Sequence, residues 1–439
     1  MTYITGFSKL SKDQKIEVVS SRFSNPTIVE EEFRSFHHPD EKLQSKFEEF
    51  SENTISNFFM PFSVAPNFMI NDHMYMVPMV IEESSVVAAA SKAAKFWKER
   101  GGFRAEVIDT EKIGQVHFEW KGEKSFLTEN FEDLKIKFFE GTKQITANME
   151  RRGGGISRIE LVDMTAKEPN YYQIKAYFQT VDSMGANFVN TCLEEFAKIL
   201  KAYVAEKGHN EDDLYVIMSI LSNFTPNCLV KVWVECPIEE LGMIEGIAPQ
   251  EFAEKFAKAI KIAHLDPYRA ATHNKGIYNG VDSVVLATGN DFRAVEACGH
   301  TYASKDGNYK SLSDVSIENG IFNFSLTIPM ALGVVGGLTN LHPIVKRSLE
   351  MLENPSAKEL MMIAAAAGLA NNFAAVKSLT TSGIQKGHMK MHLINILTSY
   401  NATEEEKAAA IRHFENEVVT FSSVREFLDD WRDKLIVQF

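Results

Sequence analysis

Between Gln115 and Leu221 an apolar pattern is set and broken six times, and that succession restricts the fold more than any other stretch. Val116, Phe118 and Trp120 alternate with His117 and Glu119, the period of a half-buried strand. Residues from about 126 to 151 read as a long helix that runs into Arg151-Arg152 and is stopped by Gly153-Gly154-Gly155. Ile156–Asp163 predicts a second strand, and Tyr172, Ile174, Ala176 and Phe178 a third. From Gly185 the spacing of Val189, Leu193, Phe196 and Leu200 predicts a helix that Gly208 closes, and Leu214–Leu221 predicts a last strand. The order is β-α-β-β-α-β, a ferredoxin-like split arrangement of roughly 110 residues, a typical size for a small domain.

The chain of 439 residues has room for two or three domains. Before the insertion, the first fifty residues predict two short helices, and prolines at 61, 66 and 78 break the next stretch into extended pieces. VVAAASKAAKFWKERGG then predicts a helix ended by Gly101-Gly102. After it, Val230, Val232 and Val234 mark a strand, Phe252, Phe256, Ile260 and Ala263 a helix, and Phe322, Phe324, Leu326 and Ile328 a strand. Capping boxes at Thr403/Glu406 and Ser423/Glu426 predict two tail helices behind glycines 383 and 387, a hinged lid. The expected fold is α+β. A large mixed helix/sheet domain spans 1–109 and 216–377, a ferredoxin-like, non-Rossmann unit is inserted over 110–215, and a helical lid follows over 378–439.

A net charge of −13 argues against nucleic acid as a partner. Cys192, Cys228, Cys236 and Cys298 lack CxxC spacing, and few cysteines without a leader predict a reducing cytoplasm. Cys298 as a nucleophile is outweighed by Cys298 as a small buried residue. The most apolar helical run, Met361–Ala370, is expected to be too short to cross a bilayer. The sequon Asn401-Ala402-Thr403 is then a chance occurrence.

Chemistry-bearing residues concentrate between His264 and Gly307. Glycines 276, 280 and 289 are expected to turn the backbone tightly, with SVVLATG (283–289) as a short buried strand. Lys275 before that strand and Asp291 after it could converge to stabilise an oxyanion and move a proton; a surface ion pair is the plainer alternative. Glu83 and Ser85 stand at a helix start, where capping is their plainer role. Asp182-Ser183-Met184-Gly185-Ala186-Asn187 joins a strand to a helix N-terminus that could bind phosphate, without GxGxxG spacing. His388 and His392 have metal-pair spacing, but Met389 stands where the zincin motif needs glutamate, so no metal is expected.

ENTIS, EESSVVAAAS, DSMGAN, DPYRAATHNKG, GNDFRA and GHM follow in one order along nearly the whole chain. In these motifs the sequence resembles the bacterial, class II 3-hydroxy-3-methylglutaryl-CoA (HMG-CoA) reductases. It departs at Ser183 for alanine, Ser84 for proline and Leu338 for a glycine. The resemblance implies reduction of HMG-CoA to mevalonate and CoA with two NAD(P)H, in a homodimer or a higher assembly of dimers, without metal or membrane. It assigns catalysis to Glu83, Lys275, Asp291 and His388. Lys275 would meet the carbonyl oxygen, Glu83 would give the alcohol proton, Asp291 would tune both, and His388 on the lid would protonate the CoA thiolate. Arg269 and Ser85 would hold the substrate carboxylate, and Asn279 would orient a catalytic carboxylate. The cofactor would lie on Asp182, Met184, Gly185 and Asn187. Thr146, by its offset from the triple glycine, would face the adenine ribose; with Arg151 and Arg152 beyond it, that favours NADPH over NADH. Oxidative use with NAD, a non-reductive CoA-ester enzyme and a non-catalytic CoA- or nucleotide-binding protein are the alternatives.

Overall fold

The computed structural model describes residues 3–339, 341–381, 393–414 and 417–436. Where two short N-terminal helices were expected there are three: α1 (Lys12–Ser20), α2 (Pro26–Ser35) and α3 (Glu41–Glu48), capped by Ser11, Asn25 and Asp40. The proline-broken stretch forms an antiparallel hairpin, β1 (Phe62–Ile70) and β2 (His73–Val80). Its register slips between Ala65 and Phe68, beside Pro66, which has no N–H for the ladder. Then come α4 (Val86–Lys98) and β3 (Arg104–Asp109).

The inserted unit is β4 (Lys112–Trp120), α5 (Lys124–Glu150), β5 (Gly155–Asp163), β6 (Tyr171–Gln179), α6 (Ala186–Glu206) and β7 (Leu214–Ser222). Its strands make one antiparallel sheet in the order β5-β6-β4-β7, the ferredoxin-like topology. Phe118, Phe138, Ile174, Phe178, Phe196 and Leu200 form its core. Pairing carries the unit to Ser222, so the boundary expected at 215 falls inside β7.

The chain returns through β8 (Leu229–Pro237), α7 (Pro249–Leu265), α8 (Pro267–Ala287), α9 (Phe292–Ala303), β9 (Ser313–Glu318), β10 (Ile321–Pro329), α10 (Pro343–Met351) and α11 (Ala357–Thr380). A second antiparallel sheet has the order β3-β8-β10-β9. Asp109 pairs with Leu229 in this sheet and Ile113 with Ser222 in the other, so two short connectors run between the same two places. In those connectors Glu111 is buried and accepts hydrogen bonds from Asn227 (3.0 Å) and Arg158 (3.2 Å).

The 283–289 segment is not a strand. It is the last part of the 21-residue helix α8 and the turn that follows it. Gly280 does not turn the chain there. A Cβ on it would lie 2.2 Å from the carbonyl oxygen of Ala367, so the glycine lets α8 and α11 touch backbone to backbone. Only Gly289 of the three has positive φ, at 70°. The run around Met361–Ala370 also proves longer than expected. Helix α11 has 24 residues, long and apolar enough to cross a membrane, but it is the buried centre of the large core, where Phe373 packs on Trp97 and Phe256. In the tail, Glu404–His413 starts with the expected Thr403/Glu406 box. Phe421–Ile436 starts instead at Thr420, whose hydroxyl accepts from the Ser423 N–H at 3.0 Å. These helices share a small core that includes Leu397, Phe414, Val424 and Leu428.

Candidate active site

Helix α8 sets the geometry of the site. Asp266 caps it, accepting from the Tyr268 N–H at 3.0 Å, and Pro267 occupies its first turn. Its buried side, Ile277, Tyr278, Val281, Val284 and Val285, faces the large core. Lys275 is thereby left on the exposed side, one turn before half-buried Asn279, instead of in a loop.

Lys275 Nζ meets Glu83 Oε2, joining residues 192 positions apart. Glu83 is delivered by the turn between β2 and α4. The pair is open to solvent in the isolated chain, with the lysine side chain 60% exposed and the glutamate 37%. Ser85 occupies the N-cap position of α4 but makes no side-chain capping bond, and its backbone is left-handed at φ 79°. The capping role is therefore wrong for Ser85: its hydroxyl is not used on the helix, and its backbone is strained.

Asp291 opens α9 as its cap, accepting from the N–H groups of Arg293 (3.0 Å) and Ala294 (3.2 Å), and pairs with the Arg293 guanidinium at 3.2 Å. It makes no ion pair with Lys275 among the described residues. Half-buried Arg269 has no ion-pair partner among them either, and burial lowers its pKa, which leaves a cation free for an anionic group. Buried His273 bonds Ser313 Oγ at 2.7 Å, and burial first, then the charges of Arg269 and His264, pushes its pKa down to about 3. His388, with glycines 383 and 387, lies outside the described residues.

The DSMGAN turn borders a cleft between the two units. Gly185, at φ 87°, is the N-cap of α6 and makes no side-chain cap. A Cβ there would meet Thr180 at 2.4 Å, so only glycine fits. Met184 and Ala186 line the cleft, together with Ala294 just past Asp291 and Ala331 after β10. Asp182 is committed to structure: its carboxylate accepts from the Ala357 N–H at 2.9 Å and its carbonyl from Val334 at 2.8 Å. Asn187 is exposed on the first turn of α6. The uncapped N–H groups and the glycine fit a dinucleotide.

Thr146 is a correction. It is 2% exposed, inside the small unit, and its hydroxyl donates to the Lys143 carbonyl at 3.4 Å, so it is not offered to a ribose. Two residues were missed, Asn290 inside the GNDFRA motif and Lys112 outside any motif. Asn290 ties the GND turn to the loop after β10, bonding Gly333 through both its amide groups at 3.0 and 2.8 Å. Lys112 lines the cleft, and no sequence signal set it apart.

The sequence model of a family described as hydroxymethylglutaryl-coenzyme A reductase matches residues 12–393. A 3-hydroxy-3-methylglutaryl-coenzyme A reductase of Archaeoglobus fulgidus is 36% identical over 92% of this chain and 88% of its own. The structure of the Streptococcus pneumoniae 3-hydroxy-3-methylglutaryl-coenzyme A reductase superposes with a TM-score of 0.70 at 33% identity, covering 98% of this chain and all of that one. A class II enzyme of the same organism, bound to NADPH in open conformations, gives 0.69 at 35% identity over 87% of this chain and all of that one.

Proposed function

The chain belongs to the hydroxymethylglutaryl-coenzyme A reductase family, and from that premise we infer how its own residues share out the reaction. The protein is an NADPH-dependent oxidoreductase that reduces HMG-CoA to mevalonate and CoA. The cofactor supplies hydride, twice per substrate. Everything else falls to the side chains.

Each reduction places negative charge on a carbonyl oxygen, and the Lys275 ammonium meets it. Glu83, in contact with that ammonium, gives the proton that completes the alcohol. Asp291, fixed by the N-terminus of α9, orients the neighbouring charges. Arg269 takes the substrate carboxylate, with the uncommitted Ser85 hydroxyl as a second donor, and Asn279 steadies the catalytic carboxylate. His388 protonates the departing thiolate. The observation that carries this reading is the Lys275–Glu83 contact, which unites the EESS and THNKG motifs at one point.

The assembly is a homodimer with the site at the subunit interface. The Lys275–Glu83 pair is open to solvent in the isolated chain, and Met74, Met76 and Tyr268 on the neighbouring elements are 41%, 58% and 87% exposed. All four cysteines are free and buried, which supports a reducing, cytoplasmic setting. The activity is tested by loss of NADPH absorbance with purified protein. HMG-CoA-dependent consumption of two NADPH per thioester is expected, and none at all would overturn the reading.

A further inference from the structure

Lys112 is the first residue of β4 and is only 5% exposed. Among the described residues its ammonium has no hydrogen-bond or ion-pair partner. Burial pulls its pKa below the usual lysine range, although Cys228, Asp109 and Asp182 act on it through space in the opposite direction. The ammonium is not one of the fully enclosed unpaired atoms, so it opens onto the solvent of the cleft, where an anion would satisfy it better than restricted water does. The residue lines the cleft between the two units, with Met184 and Ala186 at the N-terminal end of α6 on the same wall. That helix end carries its own positive dipole and uncapped N–H groups. Ala294 and Ala331 supply small side chains to the rest of the lining. Two positive features on separate elements thus border one narrow space.

We propose that Lys112 is a cofactor-binding residue whose ammonium, together with the N-terminus of α6, holds the pyrophosphate of the dinucleotide in this cleft. The proposal rests on the reductase reading above. A pyrophosphate contact is common to NADPH and NADH, so Lys112 sets affinity for both and does not choose between them. A contact to the 2′-phosphate would act on NADPH alone. The aliphatic stem of the lysine is part of the strand-to-cleft packing, so methionine preserves shape while removing charge.

The test uses the full chain with Lys112→Met and Lys112→Arg. Cofactor KM, HMG-CoA KM, kcat and Tm are measured, and ADP-ribose binding is followed by calorimetry, which needs no turnover. Lys112→Met is expected to raise KM for NADPH and for NADH by the same factor, about 10- to 100-fold. It should weaken ADP-ribose by a similar factor and leave HMG-CoA KM and Tm near wild type, while Lys112→Arg restores most of the affinity. Unchanged cofactor KM and unchanged ADP-ribose affinity would overturn the proposal. So would a loss confined to NADPH, or a fall in Tm with both substrates weakened together. A wild-type protein that binds ADP-ribose but never consumes NADPH with HMG-CoA would sink the reductase reading, and ADP-ribose binding would still decide the role of Lys112.

Discussion

Glu83 and Lys275, 192 positions apart in the sequence, touch, one from the turn before α4 and the other from the exposed side of α8. Neither residue holds the fold together. Exposed ion pairs of this kind contribute little to stability, and the core lies on the opposite side of α8. Lys275→Ala is therefore expected to keep the wild-type Tm and lose at least about a hundredfold in kcat, the usual consequence of removing an oxyanion partner. Near-normal turnover in a folded variant would remove Lys275 from the chemistry.

His388 makes a different demand. If it protonates the thiolate, His388→Gln slows reduction of HMG-CoA and largely spares reduction of free mevaldehyde, which has no thiolate to expel. Steady-state rates on the two substrates decide the matter. Equal losses on both would take thiolate protonation away from His388.

Two glycines four residues apart on α8 should respond in opposite directions. At Gly280 a new Cβ would meet the Ala367 backbone at 2.2 Å, and two helices would have to separate. Gly280→Ala should cost roughly 1–3 kcal/mol or more, seen as a lower Tm. At Gly276 nothing lies within 4 Å of the same atom. Gly276→Ala should leave stability unchanged or raise it by about 0.5–1 kcal/mol, since glycine weakens a helix interior.

His273 makes stability depend on pH in a known direction. Its folded pKa is pushed down from 6.5 to about 3, so below 6.5 the unfolded chain takes up a proton that the folded one refuses. Its contribution is complete above 6.5 and is lost as the pH falls towards 3. Between pH 6.5 and 5 the loss amounts to at most about 2 kcal/mol. Urea unfolding at several pH values should show this slope, and His273→Gln should flatten it.

Sedimentation velocity checks the assembly. A dimer or a multiple of dimers is expected at assay concentration, and a fully active monomer would contradict the interface.

The inserted unit was legible because apolar and polar residues alternate along its strands and its helices end in glycine, so period and stop signals agree, even though the central strands β4 and β6 are largely buried on both faces. Helix α8 was not, for a physical reason. Much of its surface is covered, and Ser283-Val284-Val285-Leu286-Ala287 then shows the unbroken apolar run of a buried strand. Counting back from the triple glycine located Thr146 on α5 but could not tell which way that position faces. The motifs marked Glu83, Lys275 and Asp291, yet only folding shows that the first two touch while Asp291 spends its oxygens on α9. A lone lysine opening a strand carries no pattern at all, and Lys112 becomes visible only when the cleft does.

The two connectors between the sheets bear on how such a chain could have been built. Asp109 and Leu229 are ladder partners, so the host sheet already holds the two ends of the insertion side by side. A tight hairpin turn could close that gap without disturbing either strand. The inserted unit is in this sense a cassette that hangs from the tip of a hairpin, since both its ends are already neighbours in the host sheet.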